Sequence, residues 1–365
     1  MTSGILPGVR RVALLGATGS IGRQAVEVVS AHPELALCAL QSGSTPLDGL
    51  AAEHGVDHVE VGGDLVALLE RCRPDIVLNA VVGFAGVEAT LWALEAGVTL
   101  ALANKESLVA AGELAVAAHE RGGGLLLPVD SEHSALHQCL EGHAPGSLAG
   151  IVLTASGGPF RGRTRAELVD VTPEEALRHP TWSMGPKITI DSATLANKGL
   201  ELIEAHWLFG VPYESIQVVV HPTSVVHAFA RFRDGALLAH VGLPDMRVPI
   251  SYALTYPERA STSVAPLDLE GLTLAFERVD HDAFPLVSLA RAAGERGGTA
   301  PCAFNAANEV AVTAFLEGRL RFPEIAEVVV ETLDAVDGAP ARDLGDLVEA
   351  DEEARRIAAR RLQPA

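Results

Sequence analysis

"RVALLGATGSIGRQAVEVVSAH", residues 11–32, reads as a strand, a glycine turn and a helix. Val12 to Leu15 are apolar and β-competent, and Gly16, Gly19 and Gly22 follow at intervals of three. Those glycines permit a tight turn, close approach of the backbone to a ligand, and close packing of helix on sheet. The free N–H groups at such a helix start suit a pyrophosphate. A tight turn without a ligand would use the same glycines, so the flanking pattern has to decide. It does: apolar runs recur near 35–41, 57–61, 75–82, 98–103 and 124–129, with helical stretches between them. That alternation predicts an α/β class chain whose first part is a Rossmann-like, doubly wound parallel sheet.

The second strand ends in "ALQSGSTPLD" (39–48). An acid there normally receives the ribose hydroxyls of NAD. Gln41 to Thr45 supply none, so the 2′-phosphate of NADP meets no repulsion, although no arginine rewards it. NADP is therefore expected over NAD. Further on, "LLLPVDSEHSA" (125–135) places Asp130 and Glu132 two apart after an apolar run. On an extended chain such side chains face one spot, and two like charges there need a cation or a proton between them. Asn104, Lys105 and Glu106 open a helix at the carboxyl end of a strand, where sheets of this kind bind ligands. An ordinary N-cap and a solvated lysine would look the same.

In the middle third, "KITIDSATLANKGLELIEAHWLFG" (187–210) reads as a strand running into a helix, with Asp191 or Ser192 as its cap. Asn197, Lys198 and Glu201 share one helix face, as part of a site or as a surface ion pair. "TASGGPF" (154–160) could cradle an anion at Ser156 or simply turn. The loop "LRHPTWSMGPK" (177–187), with His179, Trp182 and Met184, suits a lid over a substrate or an apolar plug. Residues 215–245 read as antiparallel strands around an Asp234-Gly235 hairpin, with His221 and His227 as structural or interface residues. Beyond residue 285 the pattern is helical, ending in an acidic, solvated helix. Asn305, Asn308 and Glu309 stand there as supporting residues of a site.

A net charge of -20 with no Lys/Arg run argues against a nucleic-acid partner. The four cysteines, Cys38, Cys72, Cys139 and Cys302, are scattered, which suits reduced thiols and a cytoplasmic location. No run of about 18 apolar residues appears, so no membrane span or cleaved leader is expected.

"GATGSIG", "ANKESLV", "VDSEHSA", "TASGGPF", "HPTWSMGPKITIDSATLANKGLELIEA", "GLPDMRVPISYAL" and "NAANEVAV" occur in this order. Together, from about residue 9 to residue 335, they closely resemble the 1-deoxy-D-xylulose 5-phosphate reductoisomerase family. The resemblance implies an NADPH- and metal-dependent rearrangement and reduction of 1-deoxy-D-xylulose 5-phosphate to 2-C-methyl-D-erythritol 4-phosphate, a step toward isoprenoid precursors. It implies a divalent cation (Mg, Mn or Co) on Asp130, Glu132 and Glu201. Lys105, Ser131, Glu132, Ser156, His179, Trp182, Ser192, Asn197, Lys198 and Glu201 would contact substrate. Ser156, Ser192, Asn197 and Lys198 would take its phosphate, and Trp182 resembles a lid tryptophan. Lys105, Glu132, His179 and Glu201 would be catalytic. Gly16, Thr18, Gly19, Ser20, Ile21, Gly43, Ser44, Thr45, Asn104, Glu106 and Gly185 match cofactor positions.

The implied organisation is an NADPH-binding domain (1–130), an α+β catalytic and dimerisation domain (131–255), a linker (256–284) and a C-terminal helical domain (285–365), assembled as a homodimer. Three departures stand out. Ser44 and Thr45 replace a basic residue and an asparagine, removing a charge-assisted contact to the cofactor. Thr223 and Ala228 differ from the frequent "HPQS…HS", and Leu195-Ala196 replace two methionines. A simple metal-dependent NADP dehydrogenase and a silent cofactor sensor are the competing readings.

Overall fold

The computed structural model describes residues 8–144 and 146–362. Residues 1–7, which bear on the expectation of no cleaved leader, lie outside them. The chain divides into two compact units. The first comprises residues 1–107, 115–137 and 245–265; the second comprises 108–114, 138–244 and 266–365.

The first unit is built on six parallel strands: β1 (Arg10–Leu15), β2 (Leu35–Ser42), β3 (His58–Val61), β4 (Ile76–Asn79), β5 (Thr99–Leu102) and β6 (Leu126–Pro128). Their order is β3-β2-β1-β4-β5-β6, that of the doubly wound dinucleotide fold, with its strand-order reversal between β1 and β4. The crossovers are helices α1 (Ser20–Ala31), α2 (Asp48–His54), α3 (Leu65–Cys72), α4 (Val87–Glu95) and α5 (Lys105–Gly122); α6 (Ser131–Leu140) follows β6. Helix α1 buries Gly22, Ala25, Val28 and Val29, one stripe at helical spacing, against Val12, Leu14 and Leu40 of the sheet. All six expected strands are present.

The second unit contains a sheet of β7 (Leu148–Ala155), β8 (Ile216–Val220), β9 (Val226–Phe232) and β10 (Leu237–Val241), in the order β10-β9-β7-β8. Its helices are α7 (Pro173–Ala176), α8 (Pro186–Ala193) and α9 (Ala196–Phe209). Helix α10 (Arg247–Thr255), inside the stretch assigned by sequence to the catalytic domain, contributes Ile250, Ala253 and Leu254 to the core of the first unit. The second unit closes with α11 (Leu286–Arg296), α12 (Ala300–Leu316), α13 (Glu324–Ala335) and α14 (Leu344–Arg361).

Four local expectations are corrected. Residues 187–191 are helical, not a strand: Pro186 starts α8 at a position where its missing N–H costs nothing. Asp130 and Glu132 do not lie on an extended chain, because β6 stops at Pro128 and α6 starts at Ser131. The hairpin at Asp234-Gly235 joins β9 and β10 as expected, Gly235 taking φ 90°. Strand β8, however, pairs parallel with β7, because the chain reaches it by a helical crossover through α8 and α9. Finally, α14 is solvated on one face only. It buries Leu347, Ala354, Ala358 and Asp351, and Arg355 holds both Asp351 and Glu309 at 2.6 Å.

Candidate functional site

In the first unit the glycine turn sits at the end of β1. Gly16 has φ 81°, and a Cβ there would lie 2.4 Å from the Ala80 carbonyl oxygen at the end of β4. A Cβ on Gly22 would lie 2.3 Å from the Gly16 oxygen. The turn therefore requires glycine at both positions. Gly19 is the N-cap of α1 and offers no side-chain cap, so the N–H groups of Ser20 and Ile21 are presented as an anion cradle beside Thr18. Gly16 N–H and Ala17 N–H donate to the Gln41 carbonyl, tying the turn to the end of β2. Gly43, Ser44 and Thr45, which follow β2, are exposed.

Asn104 is an N-cap: its Oδ1 accepts from Ser107 N–H at 2.9 Å, while its Nδ2 donates to the Val81 and Gly83 carbonyls at 2.6 and 2.8 Å. Its side chain thus ties the start of α5 to the loop after β4, and Lys105 and Glu106 next to it are buried. Because β5 and β6 are parallel neighbours, the starts of α5 and α6 lie side by side. Lys105 Nζ consequently forms an ion pair with Asp130 Oδ2. Burial opposes ionisation of Asp130, but the Lys105 charge and then His133 outweigh it and hold this carboxyl well below its usual range. Ser131 Oγ donates to Glu132 Oε2 at 2.7 Å. His133, wholly buried with Nδ1 3.6 Å from Asp130 Oδ1, is a site residue that the sequence reading missed. Its signal was the i,i+3 spacing from Asp130.

In the second unit Ser156 ends β7. Its Oγ accepts from Gly158 N–H at 3.1 Å and lies 2.9 Å from His179 Nε2. His179 Nδ1 accepts from the Thr181 and Trp182 N–H groups at 3.1 and 2.9 Å. That nitrogen carries no proton, so in the neutral ring the proton is on Nε2 and points at Ser156. Burial lowers the His179 pKa and favours the neutral ring. With Ser156 Oγ accepting twice, its own O–H remains as a donor for an anion.

The 179–185 loop passes a half-buried Trp182 and ends at Gly185, the N-cap of α8. Ser192 lies in the last turn of α8 and does not cap α9; the residue before α9 is Leu195, left-handed at φ 59°, with no side-chain cap. The first N–H of α9, that of Ala196, donates instead to Thr194 Oγ1 at 3.3 Å. A Cβ on Gly158 would lie 2.7 Å from the Ser192 carbonyl, so the Ser156 and Ser192 turns are packed together. In α9, Lys198 Nζ pairs with Glu201 Oε2, and Asn197 Nδ2 donates to Glu201 Oε1 at 2.5 Å. This is no surface pair: Lys198 is 4% and Glu201 1% exposed. His227 is buried, and its pKa falls to about 4, chiefly through burial, with smaller contributions from His240 and Lys198.

Carboxylates suit a hard divalent cation, and the glycine turn suits a dinucleotide pyrophosphate. Both groups therefore fit the residues present.

The family model described as 1-deoxy-D-xylulose 5-phosphate reductoisomerase matches residues 12–63 and 50–112. Its C-terminal domain model matches 126–209, and a further one, DXP reductoisomerase C-terminal domain, matches 241–357. A 1-deoxy-D-xylulose 5-phosphate reductoisomerase of Leifsonia xyli subsp. xyli is 50% identical, with 97% of this chain and 99% of that protein covered. One from Mycobacterium marinum is 47% identical, with 100% and 96% covered. Among solved structures, the Zymomonas mobilis reductoisomerase in complex with NADPH gives TM-score 0.89 at 40% identity, covering 98% of this chain and 100% of that one. A DOX-P reductoisomerase in complex with NADPH, fosmidomycin and magnesium gives 0.91 at 38%, covering 97% and 98%.

Proposed function

The chain belongs to the 1-deoxy-D-xylulose 5-phosphate reductoisomerase family, and from that premise we propose which of its residues do the work. The protein is an NADPH- and divalent-metal-dependent oxidoreductase that converts 1-deoxy-D-xylulose 5-phosphate to 2-C-methyl-D-erythritol 4-phosphate. When bound, the cation supplies a Lewis acid for substrate oxygens and NADPH supplies hydride.

Asp130, Glu132 and Glu201 are the residues proposed to hold the cation. In support, all three are hard oxygen donors, and Asp130 and Glu201 are buried. Ser156, Ser192, Asn197 and Lys198 are proposed to bind the substrate phosphate at the start of α9. The close packing of Gly158 on Ser192 supports this most directly, because it joins the two serine turns. His179 orients the Ser156 hydroxyl through Nε2–H and, with Trp182, helps exclude water when the 179–185 loop covers substrate. Lys105 orients a substrate oxygen and holds a proton near it, and Ser131 positions Glu132.

Thr18, Gly19, Ser20 and Ile21, with Gly16, would hold the NADPH pyrophosphate, and Gly43, Ser44 and Thr45 would hold its adenosine end. Asn104, Glu106 and Gly185 shape the rest of that site. In the proposed organisation the glycine turn of the first unit binds the NADPH pyrophosphate and the serine turns of the second bind the substrate phosphate. A cytoplasmic homodimer is proposed as well. No described helix is long and apolar enough to cross a membrane, and β10 exposes Leu237, Leu238 and Val241, apolar surface suited to a second copy.

The test is to supply 1-deoxy-D-xylulose 5-phosphate, manganese and NADPH, follow cofactor oxidation and identify the product. Branched polyol phosphate is expected. Oxidation only with an aldehyde phosphate would instead indicate a simple dehydrogenase.

A further inference from the structure

The C-terminal helices contain no residue of the site described above, yet one buried amide on α12 reaches the segment that carries it. Asn308 is completely buried on α12, beside Phe304, Asn305, Ala311 and Val312. Its Nδ2 donates to Asp191 Oδ1 at 2.7 Å across 117 residues of chain. The Oδ1 of Asn308 has no hydrogen-bond partner among the described residues, so the orientation of the amide follows from the Asp191 contact. Asp191 is itself 1% exposed. Its other oxygen lies 3.1 Å from Lys187 Nζ, one turn earlier on α8.

Asp191 immediately precedes Ser192, and the backbone beyond Ser192 is unusual. Thr194 Oγ1 donates to the Ile190 and Asp191 carbonyls at 3.1 and 3.2 Å. Leu195 then takes a left-handed conformation at φ 59°, one that a leucine adopts only when its surroundings impose it. Only after this turn does α9 begin, with Asn197 and Lys198 in its first residues. A buried carboxylate keeps its charge and place only while its partners hold it. Movement of Asp191 would move Ser192 and the turn together.

We propose that Asn308 is a positioning residue for phosphate binding: through Asp191 it fixes the α8–α9 turn that presents Ser192, Asn197 and Lys198. This rests on the phosphate assignment made above. It makes the C-terminal helices part of substrate recognition rather than a passive support.

The experiment uses the full chain with manganese and NADPH. It compares wild type with Asn308→Ala for KM and kcat with 1-deoxy-D-xylulose 5-phosphate, for the inhibition constant of inorganic phosphate, and for the NADPH dissociation constant. Expected are rises of about tenfold in KM and in the phosphate constant together, as for loss of a hydrogen bond to a charged group. kcat and NADPH affinity should stay within about twofold, the signature of lost ground-state binding. A fall in kcat and NADPH affinity with phosphate inhibition unchanged, or no change in any constant, overturns the proposal. If Asn308→Ala does not fold, Asp191→Asn is read in the same way; loss of fold in both assigns the pair to stability alone and overturns it too. Failure of the wild type to turn over the ketose phosphate would sink the underlying function instead, and is seen before any variant is made.

Discussion

Two buried lysine–carboxylate pairs, one in each unit, are made in opposite ways. Lys105 and Asp130 are far apart in sequence. They meet because β5 and β6 are parallel neighbours and each delivers the start of a helix to the same end of the sheet. Lys198 and Glu201 meet through helix geometry alone, three residues apart on α9. What is not local about them is their burial, since α9 is enclosed by α8, α11 and β7. In the first pair the fold chooses the partner. In the second it chooses the environment, turning what would be a weak surface ion pair into a charged pair removed from water.

The largest effect should come from breaking the local pair on its acidic side. Glu201→Gln nearly keeps the shape but removes one charge from the proposed cation site, and kcat/KM should fall by about 10³-fold or more. Steady-state kinetics across a manganese titration would reveal it; unchanged metal affinity and turnover would remove Glu201 from the site. Next comes the non-local pair. Lys105→Met leaves Asp130 buried beside no ammonium, for a loss of about 3–5 kcal/mol in urea unfolding. The same change should raise the Asp130 pKa, which carboxyl NMR can follow.

A smaller effect concerns His227 near Lys198. Its folded pKa of about 4 lies below the ordinary value near 6.5, so the native state prefers the neutral ring. That stability is present above the unfolded pKa and is lost as pH falls from about 6.5 toward 4, up to about 3 kcal/mol in all. His227→Gln should flatten this acid limb in unfolding curves taken across that range. The smallest effect lies outside both pairs. Ser44→Arg should raise the NADPH over NADH preference by about tenfold, as one charge-assisted contact would, measured by dinucleotide binding as well as by rate. An unchanged ratio would place Ser44 away from the 2′-phosphate.

The first unit was legible because its signals are periodic: apolar strands, glycines in a turn, and helices at regular intervals. The second was less so. "KITI" alternates like a strand, yet a proline at its start and the following helix draw it into α8. Asp130 and Glu132 do converge, with carboxylate oxygens within 4.8 Å of each other, but through a helix start rather than an extended chain, because α6 begins immediately after Asp130. Strand β8 looked like part of a meander, since nothing local distinguishes parallel from antiparallel pairing. The sequence marks Asn308 only as a supporting residue. Its partner lies in a different helix, and no spacing rule could have joined the two.

Diffraction from crystals grown with manganese and NADPH, using the anomalous signal to locate the metal, tests the carboxylate assignment most directly. A single peak is expected, with oxygens of Asp130, Glu132 and Glu201 each within about 2.0–2.6 Å of it. A peak held by other residues, or one with Glu201 beyond about 6 Å and so outside any bonding distance, would contradict it.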